Sequence, residues 1–323
     1  MIKIVITDYY YADIEQEKAV FASMGLEYEL LDLTKVEPGG IKDAERLSEY
    51  IKDADAVIVQ FAKIDKDLIE QMEKCKVIAR YAIGVDNIDV AAATQRGIYV
   101  ANVPDYCISE VANTAIAHIM NALRKISISR DMLMAGSFDM QKIRPLQRTE
   151  DAILCLLGFG NIARDVMWKM ERFFGKIVVY DPYFKEKDAY SNVEFMEFDD
   201  AISAADVISV HVPLNDATRS MIDRTALSKM KDGVVIVNTA RGPVIEEKAL
   251  VEALDSGKVG FAGLDVIATE DFAQSSLLYN KKVTLTPHIG WCSEAAGKEL
   301  QRKVAQNVVS TLTYGKPVYH VNL

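Results

Sequence analysis

The chain has 323 residues, of which 50% are hydrophobic and 26% charged, with a net charge of −10. This length predicts two domains, and the acidic balance argues against nucleic acid and anionic membranes as partners, because both repel a negatively charged surface. No apolar run is long enough to cross a membrane, and the four cysteines form neither a CxxC pair nor a metal-ligand pattern. We therefore expect a cytoplasmic protein with reduced thiols and no metal.

The N-terminal part of the chain alternates between predicted strands and helices. Strands are predicted at "IKIVIT", "YELLDL", "AVIVQF", "KVIARY" and "GIYVAN", with helices near residues 13–24, 43–51 and 66–74. This alternation predicts a doubly wound parallel sheet. Residues 106–128 then predict one long helix, because apolar residues recur at helical spacing, and Asn102, Val103 and Pro104 predict a hinge before it.

The stretch "DAILCLLGFGNIARDVMWKMERFFGKIVVYDPY", which starts at residue 151, predicts a strand, a glycine turn, a helix and a second strand that ends in an acid. Gly158 permits the turn, and Gly160 lets the backbone approach a pyrophosphate that the N–H groups of Asn161 and Ile162 would bind. Asp181 lies at the separation where a carboxylate accepts hydrogen bonds from ribose hydroxyls. The glycines alone also fit an ordinary turn, but the flanking elements and the acid favour a dinucleotide site, with NAD preferred to NADP.

The position of this turn predicts the domain layout, because a dinucleotide fold normally begins just before it. Further strands at "VISVHV", "GVVIVN", "GFAGLDV" and "KVTLTP" continue a second parallel sheet, and "SEAAGKELQRKVAQNVVSTLTYG" predicts a helix that returns to the first domain. We predict an α/β fold of two doubly wound parallel-sheet domains. A discontinuous flavodoxin-like substrate domain takes residues 1–101 and 293–323, and a Rossmann NAD-binding domain takes residues 102–292.

Reduction of a ketone beside a bound nicotinamide needs a proton donor, and the chain has four histidines. His288 is the best candidate, because it follows the strand "VTLT" and side chains at the C-terminal ends of parallel strands face a ligand crevice. His118 lies on the apolar face of a helix and is interpreted as a core histidine, whereas His211 is interpreted as a wall of the cofactor site. Cys155 is interpreted as a core residue, and Cys292 is either inert or reactive.

The motifs "GFGNIA", "HVPL", "VNTARG", "GLDV" and "TPHIGW" resemble those of the D-isomer-specific 2-hydroxyacid dehydrogenases, including C-terminal-binding-protein-like and phosphoglycerate-dehydrogenase-like members. The resemblance covers nearly the whole chain, since "ARYAIGVDNIDVAAATQRGIYVANVPDY" is similar to the family's segment between domains. It implies an NAD-dependent oxidoreductase that interconverts a 2-oxo acid and a D-2-hydroxy acid in the cleft between two domains, as a homodimer through the NAD domain. The alternative is a non-catalytic, NAD(H)-responsive binding scaffold like the C-terminal-binding proteins.

The resemblance also implies the site residues. The family's substrate arginine, its acidic partner and its acid/base histidine fall on Arg241, Glu270 and His288, whose chemistry suits carboxylate binding, imidazole orientation and proton transfer. The implied substrate-binding residues are Ile83, Gly84, Val85, Arg241, His288 and Trp291. Together with the glycine turn and the acid after it, the cofactor-binding set is Gly158, Gly160, Asn161, Ile162, Asp181, His211, Pro213, Thr218, Thr239, Ala240, Asp265, His288 and Gly290.

Two positions depart from the family pattern without removing a reacting group. Asp271 stands where the family usually has proline, and Ala82 stands where it commonly has glycine. Trp291 resembles the C-terminal-binding-protein-like branch, where a tryptophan borders the substrate. With Phe61 and Tyr81 it either forms an apolar wall for the substrate side chain or packs in the interior, as aromatic residues near strand ends commonly do.

Arg80 leaves two interpretations open. It either binds an anionic tail of the substrate or caps a structural carboxylate. The side chain of the substrate, its phosphorylation and the dominant direction of the reaction are not determined by the sequence.

Overall fold

The computed structural model describes residues 1–25, 27–269 and 272–323 of the chain. Two units divide them: the terminal unit, Met1–Tyr106 with Ser293–Leu323, and the central unit, Cys107–Cys292. The strands are β1 Ile2–Ile6, β2 Tyr28–Asp32, β3 Ala56–Val59, β4 Val77–Arg80, β5 Tyr99–Ala101, β6 Ile153–Leu157, β7 Lys176–Tyr180, β8 Glu194–Phe195, β9 Val207–Val210, β10 Val234–Asn238, β11 Val259–Leu264 and β12 Val283–Leu285. The helices are α1 Glu15–Ala22, α2 Ala44–Ile51, α3 Lys66–Gln71, α4 Val90–Gln95, α5 Ile108–Arg124, α6 Ile126–Met134, α7 Asn161–Met170, α8 Phe198–Ala204, α9 Arg224–Lys229, α10 Glu247–Ser256 and α11 Glu294–Tyr314.

The terminal unit contains a five-stranded sheet in the order β2-β1-β3-β4-β5, in which every pair of neighbours is parallel. Strand β3 is buried along its whole length, as expected for a parallel strand covered on both faces. Helices α2, α3 and α4 begin after Asp43, Asp65 and Asp89, whose carboxylates each accept a backbone N–H of the first turn. The strand order is the flavodoxin-like one.

A buried carboxylate lies where the strand order of the terminal sheet reverses, between β1 and β3. Asp8 is fully buried and accepts the backbone N–H groups of Gln60 at 3.3 Å, Phe61 at 2.7 Å and Ala62 at 3.3 Å. Backbone groups at such a reversal commonly bind a ligand in doubly wound sheets. In the terminal unit the protein's own carboxylate takes that position.

The central unit contains a seven-stranded parallel sheet in the order β12-β11-β10-β9-β6-β7-β8. This is the Rossmann order with β12 added at one edge. Helices α5 and α7 pack on one face, where Ala115 and Ile119 join a buried cluster with Leu154 and Leu156. Helices α8, α9 and α10 contribute to the apolar cluster on the other face. The two parallel sheets confirm the predicted fold class.

The predicted helix of residues 106–128 is two helices, so the prediction of one continuous helix was wrong. Lys125, between α5 and α6, has a φ of 54° in the left-handed region. The cause is a long-range contact: Asn121 donates to the Thr284 hydroxyl on β12 at 2.8 Å, and its own oxygen accepts the Ser127 N–H at 2.9 Å. No glycine or proline lies at this break, so the local sequence gave no signal.

None of the helices in residues 1–25, 27–269 and 272–323 combines the length and hydropathy that a membrane span requires. Across the same residues, no three His, Cys, Asp or Glu side chains are grouped as metal ligands. All four cysteines are free thiols, of which Cys292 is exposed and the other three are buried. Cys155 is fully buried within β6, which confirms that it is a core residue.

Candidate functional site

The glycine turn joins β6 to α7 where the central sheet reverses its strand order. Gly158 has a φ of +90°, a conformation that favours glycine, and a Cβ there would lie 2.9 Å from the carbonyl oxygen of His211. Because His211 follows β9, Gly158 lets the ends of β6 and β9 approach closely. This reversal point is where a doubly wound sheet binds its ligand.

The N-terminus of α7 has the features of an anion site. Apart from Gly160 itself, which is the N-cap residue, and its two chain neighbours, no atom in the described part of the chain lies within 4 Å of the place that a Cβ would take at Gly160. The N–H groups of Asn161 and Ile162 belong to the first turn, which lacks intrahelical acceptors and carries the positive end of the helix dipole. Arg164 adds a guanidinium, whose Nη1 donates to the Phe159 carbonyl at 3.0 Å. Backbone donors, open space and a cation fit a pyrophosphate.

Asp181, after β7, already accepts three backbone hydrogen bonds. Its Oδ1 accepts the N–H groups of Tyr183 at 2.9 Å and Phe184 at 3.0 Å, and its Oδ2 accepts the Phe159 N–H at 2.8 Å. A carboxylate offers about four lone-pair positions, so about one remains, on Oδ2. Asp181 thus fits one ribose hydroxyl and also holds the glycine turn in place.

The segment after β9 contains three predicted cofactor residues. The His211 ring lies 2.9 Å from the Ser209 hydroxyl, and desolvation lowers the pKa of His211 to about 4. The ring is therefore neutral at pH 7 and contributes shape without charge. Thr218 donates its hydroxyl to the carbonyl of Pro213 at 2.6 Å, which closes the loop between them.

Asn238, at the end of β10, shapes the turn that carries Arg241. Its side chain accepts the Ala240 N–H at 2.9 Å and donates to the Arg241 carbonyl at 2.9 Å. Between these contacts, the buried hydroxyl of Thr239 has no hydrogen-bond partner among the residues that the structure describes. A buried polar group without a partner is uncommon and fits a site that a bound ligand completes. Thr239 and Ala240 therefore suit the predicted NAD.

Gly242 brings this turn against the segment that follows β11. A Cβ at Gly242 would lie 1.9 Å from the carbonyl oxygen of Ile267, so the contact requires glycine. The segment after Ile267 leads to the predicted acid Glu270. Glu270 and Asp271 lie outside the described residues, so their predicted roles stay predictions.

His288 lies in a left-handed turn after β12, with a φ of 55°. Its N–H donates to the carbonyl of Asp265 at 2.9 Å, and the Asp265 carboxylate accepts the N–H groups of Ile289 at 3.0 Å and Gly290 at 2.7 Å. A Cβ at Gly290 would lie 2.7 Å from Oδ2 of Asp265, so a side chain there would disturb the contact. The left-handed backbone of His288 costs a non-glycine residue about 1–3 kcal/mol, and the hydrogen bonds to Asp265 offset this cost.

Strands β10, β11 and β12 are parallel neighbours, so the turns that follow them lie at one edge of the sheet. Arg241 follows β10, Asp265 follows β11 and His288 follows β12. The structure therefore brings the turns of Arg241 and His288 to the same edge, on either side of the Asp265 turn. Trp291, three residues after His288, is partly buried.

The predicted substrate loop of the terminal unit follows β4. Asn102 donates to the Ile83 carbonyl at 2.7 Å, and Arg80 donates to the Gly84 carbonyl at 2.9 Å. In a trans peptide the N–H points opposite to the C=O. The N–H groups of Gly84 and Val85 therefore point away from these two donors, an arrangement that suits binding of an anion.

Arg80 also forms an ion pair with Asp86 at 3.3 Å, so the structure supports the capping interpretation of this residue. Tyr81 is 2% exposed and donates its hydroxyl to Glu17 at 2.6 Å. It belongs to the core of the terminal unit, and the predicted apolar wall is wrong for Tyr81. Phe61 is 53% exposed.

Three residues that brace these turns were not predicted from the sequence: Asn238, Arg164 and Thr286. Asn238 lies within "VNTARG" and Arg164 directly follows "GFGNIA". A polar residue at the end of a buried strand is the signal that identifies Asn238. Thr286, whose hydroxyl donates to Asp265, offered no comparable signal.

Comparisons with known proteins agree with this arrangement. Residues 116–290 match the family model described as D-isomer specific 2-hydroxyacid dehydrogenase, NAD binding domain. The chain is 39% identical over 274 residues to hydroxypyruvate reductase of Thermotoga maritima, covering 84% of this chain and 87% of the relative. It is 37% identical over 319 residues to D-3-phosphoglycerate dehydrogenase of Methanocaldococcus jannaschii, covering 97% of this chain but only 58% of the relative.

Among solved structures, the crystal structure of a glyoxylate reductase from Paecilomyes thermophila superposes with a TM-score of 0.88 at 30% identity, covering 99% of this chain and 98% of that one. The matched family region lies within the central unit, which contains the glycine turn, Asp181 and the turns of Arg241 and His288. The chain belongs to the D-isomer-specific 2-hydroxyacid dehydrogenase family and is an NAD-dependent oxidoreductase that acts on hydroxy acids.

Proposed function

We propose that the protein interconverts a small, unphosphorylated 2-oxo acid and the D-2-hydroxy acid, with His288 as the general acid and base. The nicotinamide, when bound, supplies or accepts the hydride at C2 of the substrate. The observation that carries the proposal is that the Arg241 and His288 turns lie at one sheet edge, after the two strands on either side of β11. In reduction His288 donates a proton to the keto oxygen, and in oxidation it removes the hydroxyl proton.

The other predicted residues receive roles from their chemistry. The guanidinium of Arg241 suits two hydrogen bonds to a 2-oxo carboxylate, and Glu270 would orient the imidazole of His288. The N–H groups of Gly84 and Val85 would bind the substrate carboxylate. This assignment is supported by the two donors that fix the carbonyls of Ile83 and Gly84.

The proposal of an unphosphorylated substrate rests on the contacts that Arg80 makes within the protein. Its guanidinium donates to Gly84 and pairs with Asp86, so it braces the loop that we assign to the substrate carboxylate. A phosphorylated substrate would need a cation for its tail, and Arg80 already serves the loop. The names of the Thermotoga and Paecilomyes relatives agree with a small substrate, so we favour glyoxylate or hydroxypyruvate.

The test is NADH oxidation by the purified protein with glyoxylate, hydroxypyruvate, pyruvate, a branched 2-oxo acid and 3-phosphohydroxypyruvate. We expect the highest kcat/KM with glyoxylate or hydroxypyruvate, and His288→Gln lowers kcat by about 10²- to 10⁴-fold. A higher kcat/KM with the phosphorylated acid would refute the substrate class. No turnover of any acid by folded protein that binds NADH would support the non-catalytic scaffold instead.

We further propose a homodimer and a cytoplasmic location. The apolar face of α5 is buried within the central unit, so this face is not available for a contact with a second copy of the chain. After α5, the chain exposes Met134 at 76%, Phe138 at 83% and Met140 at 68%, a concentration of apolar surface that suits a second copy of the chain. Light scattering that gives a dimer for the wild type and a monomer for Phe138→Glu would support this surface as the dimer contact. A monomer for both proteins would refute the proposed dimer. The free thiols of the four cysteines support the cytoplasmic location.

A further inference from the structure

A chain of hydrogen bonds joins α5 to the turn that carries His288. The Nε2 atom of His118 lies 3.2 Å from the Thr286 hydroxyl, and that hydroxyl donates to Oδ1 of Asp265 at 2.5 Å. A threonine hydroxyl has a single hydrogen to donate. Since Asp265 accepts that hydrogen, Nε2 of His118 must carry a hydrogen and donate it to Thr286.

Asp265 fixes the backbone on both sides of the His288 side chain. Its carbonyl accepts the His288 N–H, and its carboxylate accepts the N–H groups of Ile289 and Gly290. The left-handed conformation of His288 persists only while the surroundings impose it. The hydroxyl of Thr286 holds the carboxylate of Asp265 in the orientation that these contacts need.

The structure provides a fitted place for the His118 ring. A Cβ at Gly263, on β11, would lie 2.6 Å from Cβ of His118 and 2.9 Å from its Nδ1, so glycine leaves the room that the ring occupies. His118 is 4% exposed, which confirms the interpretation as a core histidine. Burial lowers the pKa of His118 although the charge of Asp265 opposes this shift, so the ring is neutral at pH 7.

A second polar contact between α5 and β12 serves as an internal control. Asn121, three residues after His118, donates to the hydroxyl of Thr284 at 2.8 Å. Thr284 lies within β12, two residues before Thr286, and its hydroxyl also lies 3.4 Å from that of Ser127. The pair of Asn121 and Thr284 thus joins the same helix to the same strand without a bond to Asp265.

We infer that His118 is a positioning residue for proton transfer: through Thr286 and Asp265 it holds the turn that presents His288 to the substrate. This inference rests on the proposed acid/base role of His288. Loss of the His118 donor frees the Thr286 hydroxyl to rotate away from Asp265. The carboxylate then turns, the strained turn relaxes, and the imidazole moves away from the keto oxygen. A displacement of about 1 Å in such a group lowers a rate by up to about 100-fold.

The experiment compares substitutions that remove a hydrogen-bonding group with substitutions that keep it. His118→Leu removes the donor at similar volume, whereas His118→Gln keeps an N–H at the end of the side chain. Thr286→Val removes the hydroxyl, whereas Thr286→Ser keeps it. Asn121→Leu and Thr284→Val are the matched controls. For each variant we would measure kcat with the best 2-oxo acid, the solvent deuterium isotope effect on kcat, the Kd for NADH and the melting temperature.

We expect kcat to fall at least about tenfold in His118→Leu and Thr286→Val, with a larger solvent isotope effect because proton transfer becomes slower. His118→Gln and Thr286→Ser should stay within about threefold of the wild type, and the two controls within about twofold. Controls that lose as much kcat as Thr286→Val would show that packing alone matters and overturn the inference. Unchanged kcat and isotope effect in His118→Leu and Thr286→Val would also overturn it.

A parallel assay of His288→Gln separates this inference from the proposed function. If His288→Gln keeps full activity, the acid/base role fails and the inference fails with it. If His288→Gln is inactive while His118→Leu and Thr286→Val are unaffected, only the inference fails. Should His118→Leu not fold, the comparison of Thr286→Val with Thr286→Ser decides the question.

Discussion

Substitution of Gly158 or Gly160 by alanine adds one methyl group to the same turn, but we expect different consequences. At Gly158 the methyl carbon would lie 2.9 Å from the carbonyl oxygen of His211, and the backbone φ is +90°. At Gly160 the φ is −69°, and apart from Gly160 and its two chain neighbours no described atom lies within 4 Å of the added carbon. Gly158→Ala should therefore destabilise the fold, whereas Gly160→Ala should mainly impair cofactor binding.

The expected magnitudes follow from these two environments. A left-handed backbone costs a non-glycine residue about 1–2 kcal/mol, and relief of the contact with His211 costs about 1–3 kcal/mol, as overpacking does elsewhere. Gly158→Ala should thus lower the free energy of unfolding by about 2–5 kcal/mol, a large part of a typical total of about 5–15 kcal/mol. For Gly160→Ala the cost is at most about 1 kcal/mol, from a poorer N-cap residue.

For cofactor binding we expect the larger effect from Gly160→Ala and the smaller effect from Gly158→Ala. The methyl group of Gly160→Ala would occupy the space beside the N–H donors of α7, and loss of one hydrogen bond to a charged group costs about 1.5–3 kcal/mol. The Kd for NADH should then rise about 10- to 150-fold. Urea denaturation and a fluorescence titration with NADH measure the two effects. If Gly158→Ala were as stable as Gly160→Ala, the tight contact with His211 would be refuted. Unchanged NADH affinity in Gly160→Ala would refute the pyrophosphate site at α7.

Three further outcomes can be measured on the same protein. A thiol reagent should modify Cys292 first in the folded protein, because it is exposed while burial raises the pKa of Cys75 to about 12; a fast phase that survives Cys292→Ser would contradict this. Burial raises the pKa of Glu17 above its ordinary value of 4.5, so its contribution to stability is complete below that value and is lost as the pH rises through the folded-state pKa. The wild type should therefore lose stability relative to Glu17→Gln as the pH rises from about 4 to about 7. A difference in the free energy of unfolding that stays constant over this range would disprove the raised pKa of Glu17. Gly242→Ala should lower the free energy of unfolding by at least about 3 kcal/mol because its methyl group meets backbone, whereas Gly297→Ala within α11 should gain about 0.5–1 kcal/mol, and equal melting temperatures would exclude the contact.

The features that could be predicted from the sequence are those fixed by neighbours along the chain. Apolar runs that alternate with predicted helices correctly predicted both parallel sheets, because strands buried on both faces leave a clear local pattern. The glycine turn was recognised because Gly158, Gly160 and the following helix lie within one short segment.

The features that could not be predicted depend on contacts between distant residues. The end of α5 is set by Asn121 and Thr284, which are 163 positions apart, and the bond between His118 and Thr286 spans 168 positions. Arg80 was ambiguous because only the folded loop shows that its guanidinium reaches Gly84. Local patterns describe elements, whereas side-chain partners across a sheet or helix require coordinates.

The carboxylate of Asp8 has a consequence for the stoichiometry of the enzyme. Both sheets have strand orders that elsewhere support nucleotides, but in the terminal unit Asp8 acts as an internal anion on the backbone donors of residues 60–62. A second dinucleotide would have to displace a buried acid of the same charge as its own phosphates. Each polypeptide should therefore bind one equivalent of NADH at saturation.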